Sequence, residues 1–178
     1  MAAILITGRP GAGKTTLVRS VLDALDTPAS GFYTRELRDA GGRRAGFELV
    51  TLDGETATLA DTRTTDGPRV GRYGVDLAAL DRVAVPAIEA AVRDGRLVVI
   101  DEIGRMELLS TAFQGAVIEA LRRHRVLFGT IMLAAHPFAD ELKAQPDTFL
   151  VELTEANRRQ ARAVVETQLL AALGRLSV

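Results

Sequence analysis

The chain has 178 residues, with 22 basic against 23 acidic and a formal net charge of −1. That length suits one well-buried domain, so residues 1–178 are read as a single unit, and the balanced charge offers no overall basic field for nucleic acid or an anionic membrane. Cysteine is absent, which excludes disulfides and thiolate metal sites, the two histidines are too few for a zinc site unaided, and a reducing cytoplasm is the expected setting.

Ala2 to Ile6 is an apolar run that predicts a buried strand. It leads into Gly8-Arg9-Pro10-Gly11-Ala12-Gly13-Lys14-Thr15, which fits the pattern G-x-x-x-x-G-K-[ST] and continues into Thr16 and Leu17. A strand, a glycine-rich loop and a helix in that order form the setting of a phosphate-binding loop. Its glycines let the backbone come close to a ligand, and successive N–H groups converge on phosphate oxygens at the positive end of the helix. Gly8, Arg9, Pro10, Gly11, Ala12, Gly13, Lys14, Thr15 and Thr16 are therefore the candidate nucleotide-binding residues. Lys14 would reach the β and γ phosphates, and the Thr15 hydroxyl would hold Mg²⁺. Only Lys14 and Lys143 are lysines in a chain that otherwise uses arginine. A compact ammonium fits between phosphates where a planar guanidinium does not.

Lys14 to Leu25 reads as a helix with Leu17, Val18, Val21, Leu22 and Leu25 on one face, stopped at Asp26-Thr27-Pro28. Strands are expected over Gly31–Leu37, Arg43–Leu52 and Glu55–Leu59, joined by turns at Ala40-Gly41-Gly42 and Asp53-Gly54, as a small antiparallel insertion. The polar stretch Asp61 to Gly74 reads as a mobile loop. Asp76 to Arg93 is helical in pattern, with Pro86 expected to kink it or begin a new helix, and Asp94-Gly95 supplies the stop.

Leu97-Val98-Val99-Ile100 has the character of a strand buried on both faces, and it ends in Asp101-Glu102. In open parallel sheets ligands sit beyond the carboxyl ends of strands, so these acids would face the same crevice as the loop. Asp101 suits a Mg²⁺ role through a coordinated water, and Glu102 is placed to orient and deprotonate an attacking water. A solvated acidic turn is the plainer alternative. Ser110 is a candidate N-cap for a helix to Arg123 with Phe113, Val117, Ile118 and Leu121 inward; Val126–Leu133 is a strand; Pro137 opens a short helix to about Ala144; Thr148–Leu153 is the last strand; and Thr154 caps a C-terminal helix presenting Asn157, Arg158 and Arg159. Apolar runs of about half a dozen residues fall well short of the roughly 18 needed for a membrane span, and no basic leader precedes an apolar segment. Helices alternating with apolar strands predict an α/β fold with a mostly parallel sheet covered on both faces.

Gly8 to Leu17, Gly31 to Glu36, Gly42 to Phe47, Val70 to Leu77, Val99-Ile100-Asp101-Glu102-Ile103-Gly104-Arg105-Met106-Glu107 and Thr154 to Arg158 together resemble the small nucleoside-triphosphatases of thermophilic microbes and the human cancer-related nucleoside-triphosphatase. The loop motif is shared by very many nucleotide-binding proteins. The Asp101–Glu107 stretch combined with Phe32–Glu36 is much more specific. The resemblance implies a P-loop, RecA-like three-layer fold, Mg²⁺-dependent hydrolysis of nucleoside triphosphates to diphosphate and phosphate with broad base tolerance, and Glu102 as general base.

Phosphoryl transfer also needs positive charge on the departing γ-phosphate. Arg9, Arg35, Arg38, Arg72 and Arg105 are the candidates, and Arg105 comes first because it follows the two acids. No N-K-x-D guanine reader is present, so selectivity for GTP is not expected; Phe32, Tyr33, Tyr73 or the Asn157 region are the loose candidates for contact with a base. Two other functions fit the same motifs: a nucleotide or small-molecule kinase, and a slow nucleotide-dependent switch acting through a protein partner.

Overall fold

The computed structural model describes residues 2–174. Its first strand, β1 (Ala2–Thr7), runs directly into the glycine-rich loop, and helix α1 (Lys14–Leu22) follows. Strands β2 (Ala29–Arg38), β3 (Arg44–Thr51) and β4 (Thr56–Asp61) come next, then the short pair β5 (Arg69–Val70) and β6 (Tyr73–Val75). Helix α2 (Leu77–Asp94) precedes β7 (Leu97–Ile103), a 3₁₀ turn (Glu107–Leu109) and α3 (Thr111–Arg122). The chain closes with β8 (Val126–Ile131), α4 (Pro137–Lys143), β9 (Thr148–Glu152) and α5 (Arg158–Gly174).

The nine strands among the described residues belong to one sheet in the order β5-β6-β4-β3-β2-β7-β8-β1-β9. From β2 to β9 every pairing is parallel, and from β5 to β2 every pairing is antiparallel. The antiparallel hairpins are thus not a separate layer. Strand β2 pairs with β7 in parallel on one side and with β3 in antiparallel on the other, so the insertion extends the central sheet.

The central parallel strands β1, β7 and β8 are buried on both faces because their residues alternate between two apolar clusters. In β7, Val98 and Ile100 pack with Leu80, Ile88 and Phe113 from α2 and α3, while Leu97 and Val99 pack with Val18 and Val21 of α1 and Val165 and Leu169 of α5. Each such side chain contributes about 1.5–3 kcal/mol on removal from water. The result is a three-layer α/β arrangement, with strand ends free to carry polar groups.

Several elements depart from the expected pattern. Helix α1 stops at Leu22, not Leu25. Helix α2 passes Pro86 without interruption; Pro86 is on the exposed side, where the Arg82 carbonyl that it leaves unbonded can meet water. Ile118, expected inward, is 46% exposed. The stretch Asp61–Gly74 is an ordered edge. Asp61 accepts from the Arg63 N–H at 2.7 Å and from its Nε at 3.0 Å, and Arg69 donates to the Thr64 carbonyl at 3.1 Å. Helix α5 begins at Arg158, and its entry is held by Asn157, not Thr154: the Asn157 amide accepts from the Thr154 N–H and donates to the Glu152 carbonyl, each at 2.8 Å.

Candidate active site

The loop between β1 and α1 is shaped by Gly8 and Gly13, whose φ angles are 145° and 98°. A Cβ at Gly8 would stand 2.5 Å from the Leu153 carbonyl oxygen, so only glycine fits where the loop passes the end of β9. The Lys14 ammonium donates to the Gly8 carbonyl at 3.1 Å, folding the side chain back over the loop, and lies 4.0 Å from Glu102 Oε1. Two segments more than eighty residues apart in sequence thus meet at one point.

Strand β7 delivers the acids, and its register with β8 shifts between Ile100 and Ile103, where Asp101 and Glu102 sit. The strand does not end at Ile100 but carries both acids within it. Asp101 is only 1% exposed. Its Oδ1 accepts from the Thr130 hydroxyl of β8 at 2.6 Å, and its Oδ2 is buried with no partner. Burial pushes the Asp101 carboxyl up, opposed by the Thr130 and Thr15 hydroxyls and the Lys14 charge. Burial also raises Glu102, again opposed by Lys14, with the Asp101 charge raising it further. A bare carboxylate oxygen beside a threonine hydroxyl is a hard-oxygen donor pair that suits Mg²⁺, which keeps several waters and takes its remaining ligands from substrate phosphates.

Lys14 and Glu102 open onto a cavity of about 540 Å³ that Gly8, Pro10, Arg105 and Glu107 also line, with Phe47, Val70 and Met132 on its apolar side. Arg105 is therefore brought to the same chamber as Lys14 and Glu102. Arg9 is not, since it lines a separate cleft beside Glu152 and Glu155. Other arginines are engaged elsewhere: Arg35 pairs with Glu48, Arg38 with Glu36, and Arg72 lies over the Tyr73 ring at 5.1 Å. Of the aromatic candidates for base contact, Phe32 is sealed in the core, whereas Tyr33 and Tyr73 are half-buried. Phe32 is fully buried against Phe113, with centroids 6.1 Å apart, and Tyr33 lies under Arg19.

Sequence reasoning gave no role to Thr130, a lone hydroxyl in an apolar strand, or to Glu107, the last acid of the Asp101–Glu107 stretch. Glu107 is 5% exposed, and its Oε2 would lie 2.9 Å from a Cβ at Gly104, with Glu102 Cγ at 3.4 Å from the same point. Burial pushes the Glu107 carboxyl from 4.5 up to about 8, with smaller upward contributions from Glu102 and Asp101, against the N–H groups of Glu107 and Gly104. Because the folded value exceeds the unfolded one, the stabilising contribution is fully present below pH 4.5 and is lost as the pH rises through about 8. Glu107→Gln should accordingly shrink the fall in unfolding free energy between pH 5 and pH 8 by several kcal/mol, since each pH unit between the folded and unfolded values corresponds to about 1.4 kcal/mol. Denaturant titrations of both proteins at the two pH values test this; equal slopes would show that Glu107 titrates normally.

Residues 3–165 match the family model described as NTPase. This chain belongs to the NTPase family. Its NTPase relatives include the nucleoside-triphosphatase THEP1 of Thermotoga petrophila, 44% identical over 155 residues that cover 87% of this chain and 86% of the relative. The cancer-related nucleoside-triphosphatase homolog of Bos taurus is 34% identical and covers 93% and 95%. Among solved NTPase structures, THEP1 from Aquifex aeolicus superposes with a TM-score of 0.82 at 34% identity, covering 95% of this chain and 97% of that one. A human cancer-related nucleoside triphosphatase gives 0.81 at 35%, covering 96% and 98%.

Proposed function

We propose that this NTPase-family chain hydrolyses nucleoside 5′-triphosphates to the diphosphate and phosphate, with Mg²⁺ and little discrimination between bases. The observation that carries the reading is the 4.0 Å approach of the Lys14 ammonium to the Glu102 carboxylate at the mouth of one chamber. The names of the relatives support the same chemistry.

In this mechanism the loop N–H groups and Lys14 hold the β and γ phosphates, while Thr15 and Asp101 would hold the metal. Held there, Mg²⁺ would supply neutralisation of the charge on the triphosphate. Thr130 fixes Asp101 so that Oδ2 is the free oxygen. Glu102 accepts a proton from the attacking water, and its raised pKa makes it a stronger base than an ordinary carboxylate. Arg105 balances charge on the departing γ-phosphate. The whole of residues 1–178 works as one catalytic domain in the cytoplasm. Among the described residues no helix is long and apolar enough to cross a membrane.

A second reading is transfer to an acceptor hydroxyl, favoured by the apolar reach of the chamber toward Phe47, Val70 and Met132. Incubation with Mg²⁺-ATP and no acceptor separates the two. Equimolar ADP and phosphate, lost on chelation by EDTA, is the expected result. Phosphate that appears only on an added alcohol would replace hydrolysis with transfer.

A further inference from the structure

The charged side chains that line the chamber are Lys14, Glu102, Arg105 and Glu107. Two cations thus face two carboxyl groups, and the chamber attracts an anion by net charge only while one of the carboxyls holds a proton. We propose that Glu107 is that group, and that its neutral form is the specificity determinant by which the chamber prefers a triphosphate to a diphosphate. The assignment rests on the reading of this chamber as the seat of the terminal phosphate.

Three observations single out Glu107 over Glu102. Glu102 has a cation, the Lys14 ammonium at 4.0 Å, whereas Glu107 enters no ion pair among the described residues. Glu102 also reaches solvent, with its side chain 37% exposed, while Glu107 is 5% exposed. A carboxyl group out of water and without a cation keeps its proton. The third observation is crowding. A Cβ at Gly104 would stand 2.9 Å from Glu107 Oε2 and 3.5 Å from the Glu102 carboxyl carbon, so the two acids flank one small space and repel each other when both are charged. Burial, with Glu102 and Asp101 adding to it, pushes the Glu107 carboxyl up to about 8. The helices packed on the same turn do not compensate: the first turn of α3 carries no charged side chain, and Asp81 of α2 is taken up by the Ser110 hydroxyl. The sheet wall of the chamber, with Thr34, Phe47 and Leu59, adds no charge either.

With Glu107 neutral, Lys14 and Arg105 are opposed only by Glu102, and a γ-phosphate meets a field of positive sign. Ionised Glu107 cancels that field. A diphosphate ends at the loop N–H groups and leaves the chamber without phosphate, so the change falls on the triphosphate. The preference is full while Glu107 is protonated and is lost as the pH rises through about 8.

The test is calorimetric binding with Mg²⁺ of ADP and of AMPPNP, a non-hydrolysable triphosphate, to wild type and Glu107→Gln at pH 7 and pH 9. Glutamine keeps the shape of the neutral acid but cannot ionise, and circular dichroism checks the fold. In wild type the ratio of the ADP Kd to the AMPPNP Kd should fall about tenfold between the two pH values, the scale of one added charge in a partly shielded site. In Glu107→Gln it should stay within about twofold. Ionisation of the ligands themselves is common to both proteins. An unchanged wild-type ratio, or an equal fall in the variant, overturns the proposal. Should the variant not fold, infrared spectra of wild type decide: the C=O stretch of a protonated carboxyl should persist to higher pH with AMPPNP than with ADP, and loss at the same pH overturns the proposal. AMPPNP that binds no tighter than ADP at pH 7 would remove the chamber as the seat of the terminal phosphate, an outcome distinct from a tighter AMPPNP whose advantage ignores pH.

Discussion

Replacing Glu102 with glutamine should lower kcat for ATP by roughly 10²–10⁴-fold while leaving KM within a few-fold of wild type. Glutamine keeps the size of the side chain but cannot accept a proton, and it removes the charge that faces Lys14 at 4.0 Å. In the proposed mechanism the ground-state nucleotide contacts come from the loop and Lys14, so binding should survive. In wild type the base must be ionised, and burial together with Asp101 raises the Glu102 carboxyl above its usual range. Activity should therefore fall as the pH drops through that raised value, and this acid limb should vanish from the residual rate of Glu102→Gln. Phosphate release measured from pH 5 to pH 8 decides the matter; turnover of the variant within tenfold of wild type would place the base elsewhere.

A second large effect is expected from one methyl group. Gly129 of β8 pairs with Ile100 of β7, and a Cβ at Gly129 would stand 1.8 Å from the Ile100 carbonyl oxygen. Gly129 and Ile100 are both buried and the clashing atom is backbone, so the clash cannot be relieved by a side-chain rotation. Gly129→Ala should destabilise the fold by about 3 kcal/mol or more, at or beyond the upper end of ordinary overpacking, out of a total of about 5–15 kcal/mol for a typical domain. Activity of the folded fraction should fall as well, because the adjacent Thr130 is the donor to Asp101. Gly115→Ala is the contrast. It lies within α3 with nothing inside 4 Å of the added carbon, and it should gain about 0.5–1 kcal/mol. Urea midpoints of the two variants against wild type separate the effects, and a neutral Gly129→Ala would mean that β7 and β8 can move apart.

Much of the site is legible in the sequence because its chemistry is local. The spacing of Gly8, Gly13, Lys14 and Thr15 specifies a loop that needs no distant partner to be recognised, and the apolar run before Asp101 and Glu102 announces a strand, though the strand continues through both acids to Ile103. What escaped depends on contacts between distant segments. Thr130 matters through a hydrogen bond to a residue 29 positions away, and Glu107 is shifted by burial that only the folded turn creates. Asn157 displaced Thr154 at the entry of α5 because its amide reaches back to the Glu152 carbonyl, a bond that hydroxyl preference at caps does not foresee. Ile118 shows the limit of periodicity, since a helix lying on a sheet covers only part of an apolar stripe. The sheet order was equally hidden, because alternation identifies β2 as a strand but not that it pairs with both β3 and β7.

The position of β1 has a consequence for synthesis of the chain. Among the described elements this strand is made before the others, yet its two neighbours in the sheet are β8 and β9, more than a hundred residues later. The loop that follows it is braced by Arg158, which lies 146 residues further on. At about 5–20 residues per second, a ribosome needs several seconds or more to supply those partners. Until then the nascent chain carries the complete phosphate-binding motif without the sheet that shapes it. Nucleotide affinity should therefore arise only after β8, β9 and Arg158 have emerged, and a ribosome-stalled intermediate ending before β8 should carry the motif without the affinity.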